Sequence, residues 1–416
     1  MPSDRTARPF AVRRLLGLAA AVTIASLASV DVAAAQQWRD EANARIDQHR
    51  KGDMTVRVFD AAGNRVQGAD VGVSMLNHNF GFGTAVTAEL LTANSQDATN
   101  YRNAIRNNFN HVVFENDLKW PAWEGQWGPN FNWTQTQQAM DWLDANNLPA
   151  RGHYLSWATW TGFDAYGDSQ NVNTLKTRLF DHITEKATTV GDRVYEWDVI
   201  NHPVGWTNDT YVNRMQDAGL YNNGLDFYAD IIRHSRSVVP DGTDLWINED
   251  NIMSGGLASE YADIIEYLND NGAAVDGIGF QGHFNADWNR IRTPQQVYNN
   301  IDRFAGLADR LRVTEFDINV GTESEQAELT RDYLTVMFSH EKMEAVTFWG
   351  FWEGRHWLEN AHLINEDWTE KPAMAAYRDL VFDEWWTEED LDASELGEAE
   401  LRAVLGAYEI TASLGH

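Results

Sequence analysis

Short apolar runs recur along the chain, each closed by polar residues and separated from the next by a longer stretch with helical spacing. They fall at 80–86, 111–116, 150–157, 194–201, 244–251, 277–283, 311–319 and 345–353. A short apolar run bounded by turn signals reads as a strand buried on both faces. Between most of them lie stretches such as 134–146, 172–189 and 261–271, in which apolar residues return every three or four positions, the spacing of one helix face. Eight strands alternating with helices predict an α/β fold, a closed (β/α)₈ TIM barrel. An open doubly wound sheet is the alternative. It is weakened because no glycine-rich phosphate loop follows any of the runs.

The flanks follow other periods. Residues 36–52 read as a short helix with Trp38 and Ile46 on one side. Segments 54–59 and 66–75 alternate apolar and polar residues around Gly63-Asn64, which predicts an N-terminal β-hairpin. From Thr387 the chain is acidic, and it closes with a short C-terminal strand at 405–411 suited to pair with that hairpin. The expected organisation is a signal peptide at 1–35, the helix and hairpin at 36–76, the barrel at 77–386 and the acidic segment with its terminal strand at 387–416.

The signal-peptide reading rests on Arg5, Arg8, Arg13 and Arg14, an apolar run over 15–30, and Ala33-Ala34-Ala35 before Gln36. The apolar run falls short of the roughly 20 residues of a membrane span. A secreted or periplasmic protein is expected, with the Arg13-Arg14 pair raising the twin-arginine route.

The balance of 32 Lys+Arg against 62 Asp+Glu gives a formal charge of −30. So negative a surface repels phosphate backbones and anionic lipid, so neither nucleic acid nor membrane is an expected partner. Removing 1–35, which holds four Arg and two Asp, leaves the chain more acidic still. Cysteine is absent, which excludes disulfides, thiolate metal sites and a catalytic thiol. Tryptophan is abundant at 18 residues; indole faces fill cores and also stack on the C–H faces of sugars.

In a (β/α)₈ barrel the reacting groups come from the carboxyl ends of the strands, and here every such end from the second onward is polar. The second ends in Glu115 and Asn116 with Lys119 just beyond; the third carries His153 and Trp157. The fourth gives Asn201 and His202, the fifth Asn248, Glu249 and Asn251, and the sixth Gln281 and His283. The seventh ends in Glu315 and Asp317, and the eighth runs through Trp349, Trp352, Glu353 and Trp357. One polar strand end means a helix cap or a local hydrogen bond. A full set points to a ligand rich in hydroxyl groups, bridged by amides and imidazoles and stacked on indoles. A carboxylate at a strand end can attack an anomeric carbon, so a polysaccharide is the expected partner, with no cofactor.

The strings FNHVVFENDLKW, RGHYLSW, WDVIN, INEDN, GIGFQGH, VTEFDI and FWGFWEGRHW resemble, in order, the strand signatures of glycoside hydrolase family 10, the retaining endo-β-1,4-xylanases. KGDMTVRVFDAAGNRVQGADV and GAYEITA resemble the segments flanking the barrel in plant-like and some bacterial members. The resemblance implies a secreted xylanase, a monomer. It implies that Glu315 is the nucleophile, with Asp317 and His283 orienting and charge-tuning it and Gln281 beside them. Glu115, Asn116 and Lys119 would hold the sugar one unit from the cleaved bond on the non-reducing side. His153, Trp157 and Asn201 would line the subsite of bond breaking, Asn201 meeting the 2-hydroxyl, and Trp349 and Trp357 would wall the cleft.

One departure stands out. The family's fourth strand ends in Asn-Glu, that Glu being the general acid/base, whereas this chain has Asn201-His202-Pro203. Three readings compete. His202 replaces the carboxyl, since an imidazole both donates and accepts protons near neutrality. Alternatively hydrolysis is impaired and an oligosaccharide-binding protein remains. In the third, His153, His202 and His283 form a three-His metal site with Glu315. Glu249 and Asp250 are candidate substitute acids whose expected role is hydrogen bonding at the cleft rim, and Glu353 lies past the eighth strand. Glu196 sits too far from its strand end. Ala158 stands where many members have His.

Overall fold

The computed structural model describes residues 36–157, 172–205 and 210–414; the leader at 1–35 and Ala158 lie outside them. Two strands precede the barrel, β1 (Lys51–Arg57) and β2 (Ala69–His78). The barrel is built from β3 (Gly81–Val86), β4 (His111–Phe114), β5 (Ala150–Trp157), β6 (Glu196–Asn201), β7 (Asp244–Glu249), β8 (Gly277–Phe280), β9 (His283–Asn285), β10 (Leu311–Asn319) and β11 (Met343–Phe348). Neighbours run parallel, and β11 pairs with both β10 and β3, which closes the ring. Strands β8 and β9 share one barrel position, both parallel to β10. They part at Gly282, whose φ of +85° is cheap only for a residue without a Cβ. The expected eight-strand (β/α)₈ barrel is therefore the architecture, with helices such as Trp133–Ala145, Val172–Val190 and Ala258–Asp270 outside it.

The barrel strands are short apolar runs because both their faces are buried: every residue of β5 and β6 is buried. The inward positions at the amino-terminal floor nevertheless carry charge. Arg151 and Arg312 both hydrogen-bond Glu196; Arg151 also reaches Asp198 at 2.8 Å, and Arg312 reaches Glu344. Glu196 belongs to this floor, far from the strand end, as expected. Buried charges persist only when paired, and Asp198 passes the network upward, its other oxygen 2.8 Å from His153 Nδ1.

Outside the barrel, helix 36–50 buries Trp38, Ala42 and Ile46, one face of three turns, in the main core. The expected N-terminal hairpin takes another form. A turn closes at Asp60 and Asn64, and Phe59 bridges Arg65, but there the pairing stops. Strand β1 pairs with β13 (Glu398–Val404), while β2 lies between β12 (Glu388–Asp392) and β14 (Gly406–Leu414). Both edges of β2 are thus occupied, and none is left for β1. The C-terminal strand does pair with β2, whereas β12 and β13, too rich in Asp and Glu to read as strands, were not foreseen.

Candidate active site

A cleft of about 750 Å³ opens at the carboxyl end of the barrel. Glu115, Asn116 and Lys119 reach it from the end of β4, His153 and Trp157 from β5, and Asn201 and His202 from β6 and its end. Gln281, His283 and Glu315 come from β8 to β10, and Trp349 and Trp357 from beyond β11. Of the residues to which the family resemblance assigns a role, Asp317 alone stays out of the lining. It lies buried behind His283, accepting from His283 Nδ1 at 2.9 Å and from the Trp357 indole at 2.8 Å.

Glu315 occupies the centre. Asn248 Nδ2 donates to its Oε1 at 2.9 Å, and His283 Nε2 stands 3.3 Å from its Oε2. Burial pushes this carboxyl up, but the His283 hydrogen bond and the nearby His153, His283 and Lys119 charges outweigh it and hold the group down at about 2. Burial pulls the His283 imidazole down, yet Asp317 and Glu315 on its two nitrogens lift it to about 10. The pair is therefore carboxylate and imidazolium at neutral pH.

A chain of hydrogen bonds runs from Glu315 to His202, and its polarity is determined at every link. A carboxylate only accepts, so Asn248 presents its NH₂ to Glu315. The second proton of that NH₂ goes to Asn201 Oδ1 at 3.0 Å, while Asn248 Oδ1 accepts from Thr314 at 2.6 Å. Gln281 Nε2 also donates to Asn201 Oδ1, at 3.2 Å, and lies 2.9 Å from His202 Nε2. An amide nitrogen accepts nothing, so His202 Nε2 is the acceptor and the ring carries its proton on Nδ1. That proton points at Glu249 Oε1, 2.9 Å away. The Val204, Gly205 and Asp250 backbone N–H groups also donate to Glu249, at 2.8, 3.3 and 2.7 Å. His202 holds a left-handed φ of +57°, and Trp157 packs on its ring with centroids 4.4 Å apart.

Around this core, Lys119 donates to Asn116 Oδ1 at 3.0 Å and lies 5.6 Å from the centre of the Trp349 ring. Burial lowers the Lys119 ammonium, with Glu115 and Glu315 opposing that shift. Burial raises the Glu115 carboxyl, with Lys119 opposing it. His153 is lowered by burial, with Asp198 and Glu315 opposing that shift, and it meets Trp349 edge-on at 5.2 Å.

Two expectations are corrected. Glu249 is not a cleft-rim residue: it is fully buried behind His202, because its longer side chain reaches back to the β6 end. The three-His metal site does not form. His153, His202 and His283 are each tied through Nδ1 to a separate carboxylate, Asp198, Glu249 and Asp317, and among the described residues no three potential ligands gather. Asp250 does line the cleft, paired with Arg290 at 2.8 Å. Glu353 lies outside it, accepting from the Glu366 backbone. Sequence reasoning missed Trp288 and Arg290, stacked 4.8 Å apart on the loop after β9. The Trp-Asn-Arg string there follows no strand pattern, and only the surplus of tryptophan hinted at it.

Fold and cleft together define a (β/α)₈ barrel with a buried, ionised carboxylate among amide, imidazole and indole side chains. The family model for glycosyl hydrolase family 10 matches residues 73–380, and the chain belongs to this family. Among curated relatives, the anti-sigma-I factor RsgI6 of Acetivibrio thermocellus is 26% identical over 379 residues, covering 91% of this chain and 47% of that protein. Endo-1,4-beta-xylanase 2 of Arabidopsis thaliana is 24% identical over 370 residues, 88% of this chain and 32% of that one. The chain thus spans half or less of the length of these two relatives. The beta-1,4-xylanase of Dictyoglomus thermophilum is 26% identical over 279 residues, 62% of this chain and 75% of that one. Among solved structures, native xylanase 10B of Thermotoga maritima aligns with a TM-score of 0.62 at 23% identity, covering 74% of this chain and 96% of that one. Xylanase 10B of Thermotoga petrophila, in complex with xylobiose, gives 0.62 and 23% over 74% and 95%. The likeness to these two structures is one of fold. Among the described residues no helix is long and apolar enough to cross a membrane.

Proposed function

We propose that this chain is a retaining β-glycosidase acting on β-1,4-xylan or a closely related glycan, with Glu315 as nucleophile. The observation that carries the reading is the Glu315 carboxylate itself, ionised by His283 and aimed by Asn248 inside an indole-walled cleft. Retaining hydrolysis begins with a carboxylate attacking C1. Asn201 fits the bond-breaking subsite, because its Oδ1 takes two amide protons and its NH₂ remains for a sugar 2-hydroxyl. Glu115, Asn116 and Lys119 would hold the neighbouring sugar, His153 and Trp157 the reacting one, and Trp349 and Trp357 would stack on the chain. In this reading the protein is exported after loss of 1–35 and acts as a monomer.

A second reading, an oligosaccharide-binding protein with little turnover, is favoured by His202 standing where the family's acid/base Glu is expected, with its Nε2 facing the Gln281 amide at 2.9 Å. Reducing ends released from xylan, measured for wild type and Glu315→Gln together with xylohexaose affinity, separate the two. Glycosidase action predicts sugar release that Glu315→Gln abolishes while affinity persists. Equal affinities with no release in either protein would leave only binding.

A further inference from the structure

Strands β4 and β5 pair at Val112–Ala150 and Val113–Arg151, and β4 ends one residue later at Phe114. Above that point both still supply the cleft, through Glu115, Asn116 and Lys119 on one side and His153 and Trp157 on the other. A side chain from outside the barrel joins them there. Lys186, fully buried on the helix Val172–Val190, donates from Nζ to the Leu118 carbonyl at 2.7 Å and to the Tyr154 carbonyl at 3.0 Å. Its Nζ also lies 5.8 and 5.7 Å from the centres of the Trp123 and Tyr154 rings. Burial lowers this amine, with Glu124 and Glu185 opposing the shift. An ammonium has three protons and a free amine two, so either form spans both carbonyls.

Lys186 ends a stripe. Arg178, His182 and Lys186 recur every four residues, which puts them on one face of the helix, and each meets the same segment of chain. Arg178 Nη2 donates to Glu124 Oε1 at 2.6 Å, and Trp120 Nε1 donates to that oxygen at 3.3 Å. The buried His182 ring lies flat on the Trp120 indole, with centroids 4.1 Å apart and planes 9° from parallel. Leu118, Trp120 and Glu124 are thus all gripped from this helix, and Lys119 stands between the first two. Glu115 and Asp117, just before, are tied to the β3 side, by the Val86 carbonyl and the Ala88 N–H. Strand β5 keeps its own hold on β6, at Ser156–Ile200 and Trp157–Asn201 and through Ser156 Oγ on the Val199 carbonyl at 2.6 Å. Cutting the Lys186 bridge therefore loosens the 118–124 segment and leaves His153 and Trp157 in place. We propose that Lys186, backed by His182 and Arg178, is a positioning residue for Lys119, and so for the subsite that holds the sugar one unit from the cleaved bond. This rests on the reading that Glu115, Asn116 and Lys119 bind that sugar.

The test compares two substrates of the full chain that share one leaving group, an aryl β-xylobioside, which reaches this subsite, and an aryl β-xyloside, which does not. In Lys186→Met, kcat/KM for the xylobioside should fall about 10-fold, the size of one lost hydrogen bond to a charged group, while that for the xyloside stays within about twofold of wild type. The unchanged xyloside rate also certifies a folded site. Arg178→Met, at the more exposed end of the stripe, should shift the ratio of the two rates in the same direction by less, and it serves if Lys186→Met fails to fold. A merely structural role would lower both rates together. Such a parallel loss, or a wild-type ratio in the folded variant, would overturn the inference and leave the glycosidase reading intact. No phenol from either substrate with wild type would overturn the glycosidase reading instead. The inference would then be read from xylotriose affinity by titration calorimetry: a fall of about 10-fold in Lys186→Met supports it and an unchanged affinity overturns it.

Discussion

Asn248 Nδ2 lies 2.9 Å from Glu315 Oε1, and through this one contact the charge of the carboxylate dictates the orientation of every amide up to His202. Replacing Asn248 by Asp puts a second anion against Glu315 and removes the donor. The account predicts a fall in kcat of about 10²-fold, comparable to losing one donor that stabilises developing charge, with a smaller change in KM. Steady-state kinetics on an aryl β-xylobioside checks this.

The Glu315–His283 pair makes stability depend on pH in a defined window. Glu315 is held at about 2 against an ordinary 4.5, so its contribution is present above 4.5 and drains away as pH falls toward 2. His283 is raised from 6.5 to about 10, so its contribution is complete below 6.5 and is lost as pH rises through 10. Thermal unfolding of wild type against His283→Gln should therefore differ most between pH 4.5 and 6.5 and converge on either side. A difference independent of pH would contradict the pairing.

Glu196 neutralises two buried guanidiniums at the barrel floor, Arg151 and Arg312. Glu196→Ala leaves both cations under-compensated, and the expected loss is about 3–5 kcal/mol in denaturant unfolding. Because Asp198 joins this floor to His153, the same substitution should also lower turnover at temperatures where the variant is still folded.

Trp288 and Trp357 are the exposed indoles of the cleft, at 43% and 46%, with ring centroids 5.9 Å apart. Trp288→Ala should weaken xylohexaose binding by about 1 kcal/mol with kcat unchanged, the size of one aromatic contact. Trp357→Ala should cost more and also reduce kcat, because its indole N–H holds Asp317 in place behind His283. Titration calorimetry and kinetics distinguish the two.

The barrel was legible because strands buried on both faces leave a local mark: two of the expected spans, 150–157 and 311–319, coincide with β5 and β10. Most of the cleft was legible for the same reason, since polar groups ending apolar runs have nowhere to point but the carboxyl face. What escaped depends on contacts remote in sequence. That β2 takes β12 and β14 and leaves β1 to β13 is decided by competition for edges, which no local pattern records. Glu249 looked like a rim residue because adjacency to Asp250 says nothing of which one reaches back to His202 at the next strand. The tautomer of His202 follows from five side chains on four barrel positions, and only coordinates bring them together.

The central claim, that Glu315 attacks the anomeric carbon, is tested most directly by trapping the intermediate. A β-xylobioside with a dinitrophenolate leaving group and fluorine at C2 forms the glycosyl-enzyme faster than it hydrolyses. Mass spectrometry of the intact protein should show one added fluoroxylobiosyl group, and peptide mapping should place it on Glu315. An unlabelled protein, or a label on any other side chain, would contradict the account.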